Sequence, residues 1–145
     1  MKLLLDTHIW LWTQLDPDRL TSRVRQTILK AEEVWLSPIS VWEFLLLVEK
    51  KRIVLNEEPR AWLERAGATS PIKEAPLTHE VAMHSRSIQV PHQDPADRFI
   101  AATAQVYGLT LVTADEQLLA GKGYKTLAQR GASQGAHTRQ THMGY

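Results

Sequence analysis

An α/β fold is predicted, a central parallel sheet flanked by helices on both faces. Three observations lead there. Short segments at residues 2–5, 34–36, 71–75, 109–113 and 124–127 read as strands, the first of them a plain apolar run, and stretches of helical period separate them. Ser, Thr, Asp and Gly recur where helix ends need caps. With 145 residues, 43% hydrophobic and 23% charged, the chain has the size and composition of one globular domain.

The elements follow in order. Residues 2–5 are apolar without a turn signal and predict a buried strand. Residues 8–15, with Ile9, Leu11 and Trp12, predict a short helix that Pro17 ends. Val24, Ile28 and Leu29 stand at helical spacing within residues 21–30. The strand at 34–36 stops at Ser37-Pro38. Ser40 then reads as the N-cap of a strongly apolar helix over 41–51, whose basic end at Lys50, Lys51 and Arg52 suits the negative helix pole. Residues 57–66 predict a helix with Trp62 and Leu63 inward, closed by Gly67. A weaker strand at 71–75 precedes a helix from the Thr78 cap to Ile88. Residues 91–95 read as a loop, 96–107 as a helix ended by Gly108, and 109–113 as a strand. A short helix over 115–120 and an edge strand at 124–127 complete the domain, placed at residues 1–128. Residues 129–145 are polar with little apolar content, which predicts a disordered tail.

Bulk properties exclude several classes. The formal net charge is +1, so any nucleic-acid surface must be local rather than a property of the whole field. There is no Cys, hence no disulfide and no thiolate metal site. The N-terminal apolar stretch is broken by Asp6, Thr7 and His8 and lacks a cleavage signature. No apolar run reaches the roughly 18 residues of a membrane helix. A soluble, cytoplasmic protein without membrane contact is the expectation. No Walker loop, GxGxxG or GxSxG occurs.

Four acids stand where strands are expected to pass into helices: Asp6, Glu43, Asp97 and Asp115. In an open parallel sheet such junctions share the carboxyl edge, where ligands bind. Singly, each has a capping explanation. Ser40 to Glu43 and Thr113 to Glu116 have the form of capping boxes. Asp94 suits an N-cap, with Pro95 in the first turn. Asp6 suits the first helix. Capping, however, needs only an acceptor, and Ser40 and Thr113 would already serve, leaving Glu43 and Asp115 surplus. Clustered carboxylates repel unless a cation sits among them. Mg²⁺ or Mn²⁺ is the candidate, since magnesium binds one or two carboxylates with waters completing its shell. His92 near Asp94 reads as surface chemistry and His8 as an exposed helix residue. The five Trp residues read mostly as core, with one or two at an interface.

The stretches LLLDTHIWLW, SPISVWEFLLLVEKKRI, PLTHEVA, DPADRFIAATAQVYGLTLVTADEQLL and YKTL together resemble the PIN-domain ribonucleases of the VapC toxin type. They span nearly everything from Met1 to Leu127. The resemblance implies an acidic pocket for Mg²⁺ or Mn²⁺ formed by Asp6, Glu43, Asp97 and Asp115. Asp6 and Asp97 would be direct ligands. Thr7, Ser40 and Thr113 would be neighbouring polar groups, Arg98 would follow the third acid, and Asp94 would cap or assist. It further implies an RNA substrate cut at phosphodiester bonds and a neutralising antitoxin. Surplus Trp, Leu and Val around residues 10–15 and 42–48 suit a homodimer contact and a groove for that antitoxin. The alternative is a receiver-like phosphoacceptor domain with a Mg²⁺ pocket. It needs paired acids after its first strand and a Lys after its last, but Asp6 stands alone and Leu127 is followed by Ala128 and Gln129.

Overall fold

The computed structural model describes residues 1–91 and 93–130. The expectations for His92 and for a disordered segment at 131–145 lie outside the described residues. Five strands form one sheet: β1 (Lys2–Leu5), β2 (Glu33–Leu36), β3 (Lys73–Glu74), β4 (Thr110–Thr113) and β5 (Lys125–Ala128). Their order is β3-β2-β1-β4-β5, and every neighbouring pair is parallel. The predicted architecture is what forms.

Parallel strands covered on both faces must be apolar on both, and β1 shows it. Leu3 and Leu5 enter one core with Val112, while Leu4 enters the other with Leu111. The first core takes α1 (Thr7–Leu15), α2 (Ser22–Lys30), α3 (Pro38–Glu49) and α4 (Pro59–Thr69) through Ile9, Val24, Phe44 and Trp62. Trp10, Phe44 and Trp62 meet edge-to-face and stacked, with Phe44 and Trp62 centroids 4.7 Å apart. Helices α6 (Pro95–Tyr107) and α7 (Glu116–Leu119) supply Ile100, Ala101, Ala104 and Leu118 to the second core. Helix α5 (His79–Ser87) lies against α6.

Three predicted N-caps hold, Asp6 among them, which accepts from Thr7 N–H at the start of α1. Thr78 accepts from Val81 N–H, and Asp94 accepts from Ala96 N–H. Gly108 closes α6 in the left-handed region at φ 65°, where a Cβ would be strained. Three others move. Helix α3 starts earlier, because Ser37 caps it and Pro38 fits its first turn, so Ser40 lies inside the helix. Gly67 does not close α4, which runs on to Thr69 with Ala66 buried. Asp115, not Thr113, caps α7 by accepting from Gln117 and Leu118 N–H.

The domain also continues past residue 128. Gln129 is 1% exposed, its N–H donates to Thr113 O, and its side chain spans to the start of α2. Its Oε1 accepts from Thr21 N–H at 3.0 Å, and its Nε2 donates to Arg19 O at 3.0 Å. Arg130 then pairs with Glu116 through two hydrogen bonds. Gln129→Ala strands a buried N–H and a carbonyl and should cost about 1–3 kcal/mol, seen as a lower urea midpoint. An unchanged midpoint would place Gln129 outside the cooperative unit.

Candidate active site

The order β3-β2-β1-β4-β5 reverses direction between β1 and β4, and the crevice at their carboxyl ends is where such sheets bind ligands. Asp6 leaves β1 there and Asp115 leaves β4 by way of Ala114. Helix α3 leaves β2 at the same edge and brings Glu43. Asp97 arrives differently from the expectation. Its helix is entered from α5 rather than from a strand, and α6 then feeds β4 through Gly108, which sets the start of α6 at the carboxyl edge.

Hydrogen bonds join the acids across these elements. Asp6 Oδ1 accepts from Thr7 N–H at 2.8 Å, and Asp6 Oδ2 accepts from Thr113 Oγ1 at 2.6 Å, bridging the β1–β4 crevice. Thr7 Oγ1 donates to Glu43 Oε1 and lies 2.8 Å from Ser40 Oγ. Asp115 N–H donates to Thr113 Oγ1 at 3.0 Å. Thr7 and Thr113, expected as neighbouring polar groups with Ser40, thus bond the Glu43 and Asp6 carboxylates, and Ser40 meets Thr7. Glu43 makes no capping box with Ser40, whose N–H donates to Ser37 O instead.

Charge repulsion acts among these acids. Burial pushes the Asp97 carboxyl up to about 9, with repulsion from Asp6, Asp94, Asp115 and Glu43 adding to it. Burial likewise pushes Glu43 up to about 7, opposed by the Thr7 hydrogen bond and reinforced by Asp6 and Asp94. Asp94, which caps α6, thus lies near enough to Asp97 and Glu43 for its charge to act on both. The acids act on Tyr124 too: burial, then Asp115 and Asp97, push its phenol up to about 12. Nothing in the sequence around Tyr124 announced this, since it depends on β5 lying beside β4.

Arg98 has a scaffolding position. Its guanidinium donates to the backbone carbonyls of Ser85, Arg86, Ile88 and Val90, tying the end of α5 to the first turn of α6 beside Asp97. His8, expected to be exposed, is 8% exposed, and its ring meets Trp12 edge-on. Trp42, expected as core, is 52% exposed because Phe44 takes the inward position on α3.

The donors at this edge are carboxylate and hydroxyl oxygens, the set that hard divalent cations select. Among the described residues, no three His, Cys, Asp or Glu side chains are grouped as they would be to hold a metal ion. Magnesium does not ask for such a group, because waters fill most of its octahedron. The residues fit such an ion in chemistry and charge.

The PIN domain profile matches residues 3–122. The chain belongs to the PIN domain family. Ribonuclease VapC22 from Mycobacterium tuberculosis is 34% identical over 119 residues, covering 80% of this chain and 88% of that protein. Among solved structures, FitAcB from Neisseria gonorrhoeae is 27% identical with a TM-score of 0.59, covering 88% of this chain and 96% of that one. VapBC2 from Rickettsia felis, bound to a promoter DNA fragment, reaches a TM-score of 0.67 at 16% identity, covering 90% and 100%. The resemblance drawn from the motifs is thereby shown, and this PIN domain is of the VapC type.

Proposed function

We propose that this PIN domain is a divalent-metal-dependent endoribonuclease and the toxin of a toxin–antitoxin pair, acting on RNA in the cytoplasm. The observation that carries the reading is the convergence of Asp6, Glu43, Asp97 and Asp115 on the β1–β4 crevice of a VapC-type fold. Asp6 and Asp97 would hold Mg²⁺ or Mn²⁺, with Glu43 and Asp115 completing the set. When bound, such an ion polarises a phosphoryl oxygen and eases deprotonation of water. Glu43, fixed by Thr7, orients the attacking water and accepts its proton. Thr113 keeps the Asp6 carboxylate facing the crevice, and Arg98 holds the α6 start that carries Asp97.

Partners are part of the proposal. Helix α3 is apolar almost all round yet lies at the surface, the pattern of a helix awaiting a further contact. Between it, α4 and the β2–β3 edge runs a groove of about 430 Å³ lined by Trp10, Pro38, Val41, Leu63, Ala66 and Ile72. We assign that groove to an amphipathic antitoxin segment and the Trp42 face to a second copy. Among the described residues no helix is long and apolar enough to cross a membrane.

The test uses purified protein and total RNA, with 5′ ends sequenced after incubation. Cleavage at defined positions that EDTA stops and Mg²⁺ or Mn²⁺ restores is the expected result. Cleavage that persists in EDTA would remove the metal assignment, and no cleavage with either ion would remove the ribonuclease one. Co-expression with the product of the neighbouring gene should give an inactive complex, and light scattering of the toxin alone should report a dimer. A monomer that no neighbour binds would end both partner assignments.

A further inference from the structure

Ser40 performs a task that helix formation does not explain. It is 0% exposed, yet Ser37 caps α3, and the Ser40 N–H is already satisfied by Ser37 O at 2.9 Å. A hydroxyl inside a helix commonly bonds a carbonyl one turn back. This one crosses to another element and meets Thr7 Oγ1 at 2.8 Å. Thr7 has a single hydroxyl hydrogen and gives it to Glu43 Oε1, an acceptor when ionised. The direction of the chain follows: Ser40 donates to Thr7, and Thr7 donates to Glu43.

Thr7 is also the residue whose backbone N–H holds Asp6 Oδ1. One residue therefore links two acids that repel each other, one on β1's exit and one on α3. A glutamate carboxylate on a flexible side chain would otherwise swing away from Asp6 and Asp94. Threonine in a helix divides between two χ1 rotamers, and here the Thr7 hydroxyl meets both Ser40 and Glu43 on α3. We propose that Ser40 is a positioning residue for Glu43, acting through the Thr7 hydroxyl, so that the Ser40–Thr7 pair sets the spacing between Glu43 and Asp6. This deepens the ribonuclease reading and rests on it for the role of Glu43.

The experiment compares Ser40→Ala, Thr7→Val, Thr7→Ser and the Ser40→Ala/Thr7→Val double variant, each first shown to melt cooperatively. Two quantities are read: kcat and KM on an RNA the wild type cuts, and Mn²⁺ affinity by calorimetry without RNA. Ser40→Ala should lower kcat or Mn²⁺ affinity about 10–100-fold, the range for residues that orient a metal's ligands, with KM for RNA nearly unchanged. Thr7→Ser, which keeps the hydroxyl, should stay near wild type. The double variant should be no worse than Thr7→Val alone, because Ser40 acts only through Thr7. Wild-type kcat and Mn²⁺ affinity in Ser40→Ala would overturn the proposal, as would losses that multiply in the double variant. A wild type that binds Mn²⁺ but cuts no RNA would defeat the ribonuclease reading alone, and Ser40 would then be judged on Mn²⁺ affinity. A wild type that does neither would defeat both.

Discussion

Replacing Asp97 by asparagine should lower RNA cleavage roughly a hundred- to a thousandfold, the scale seen when one preorganised electrostatic group is removed from an active site. The fold should survive. Asparagine has nearly the same shape, the α6 cap belongs to Asp94, and Arg98 still ties α6 to α5. What disappears is the carboxylate whose burial and four acidic neighbours push it up to about 9. The metal-free variant should therefore melt higher than the wild type at about pH 8, where the unfolded wild type has an ionised Asp97 that must take up a proton on folding. Loss of activity with gain of metal-free stability separates a functional acid from a structural one. A folded Asp97→Asn protein that cleaves like the wild type would end the assignment, and one that melts lower would make Asp97 a structural acid.

The second large effect is a pH-dependent stability that a divalent ion should reverse. Asp97 is raised from 3.8 to about 9 and Glu43 from 4.5 to about 7, so the folded state binds more protons than the unfolded chain between those limits. Their favourable contribution is complete below about pH 4 and is lost as pH rises through about 7 for Glu43 and about 9 for Asp97. Melting temperature in EDTA should therefore fall from about pH 5 to pH 9. Glu33 has the opposite sign, held low chiefly by the Lys73 hydrogen bond, but it acts near and below 4.5 and leaves this window untouched. With Mg²⁺ or Mn²⁺ present, the ionised acids gain a partner, and ligand binding to the folded state should stabilise it increasingly as pH rises. Thermal melts with EDTA and with Mg²⁺ across that range check this. Parallel curves would mean that the ion does not bind among these carboxylates.

Much of the fold was legible because its signals are local. Leu3, Leu4 and Leu5 form an uninterrupted apolar run, which a strand buried on both faces requires. Thr78, Asp94 and Gly108 mark helix ends through bonds and backbone angles set within a few residues. The misplaced ends share a cause. Ser37 and Ser40 are both plausible caps three residues apart, and Pro38 in the first turn decides for the earlier one. Gly67 lies inside α4 because Trp62 and Ala66 keep packing inward around it.

The four candidate acids could be named from the sequence, but the hydrogen bonds around them could not. Acid, spacing and apolar context in LLLDTHIWLW and DPADRFIAATAQVYGLTLVTADEQLL are properties of the chain itself, and by themselves they pointed to a parallel α/β domain of the VapC type. The tertiary structure decided that Thr7 joins Asp6 to Glu43, that Thr113 reaches across to Asp6, and that Asp94 and Tyr124 share their field. It also decided that Gln129 belongs to the domain and that Trp42 faces outward. The physical reason is distance along the chain. Asp6 and Thr113 are 107 residues apart, Thr7 and Glu43 36, and Thr21 and Gln129 108. Such contacts exist only once β1 has been placed between β2 and β4, and no pattern within a few residues encodes them.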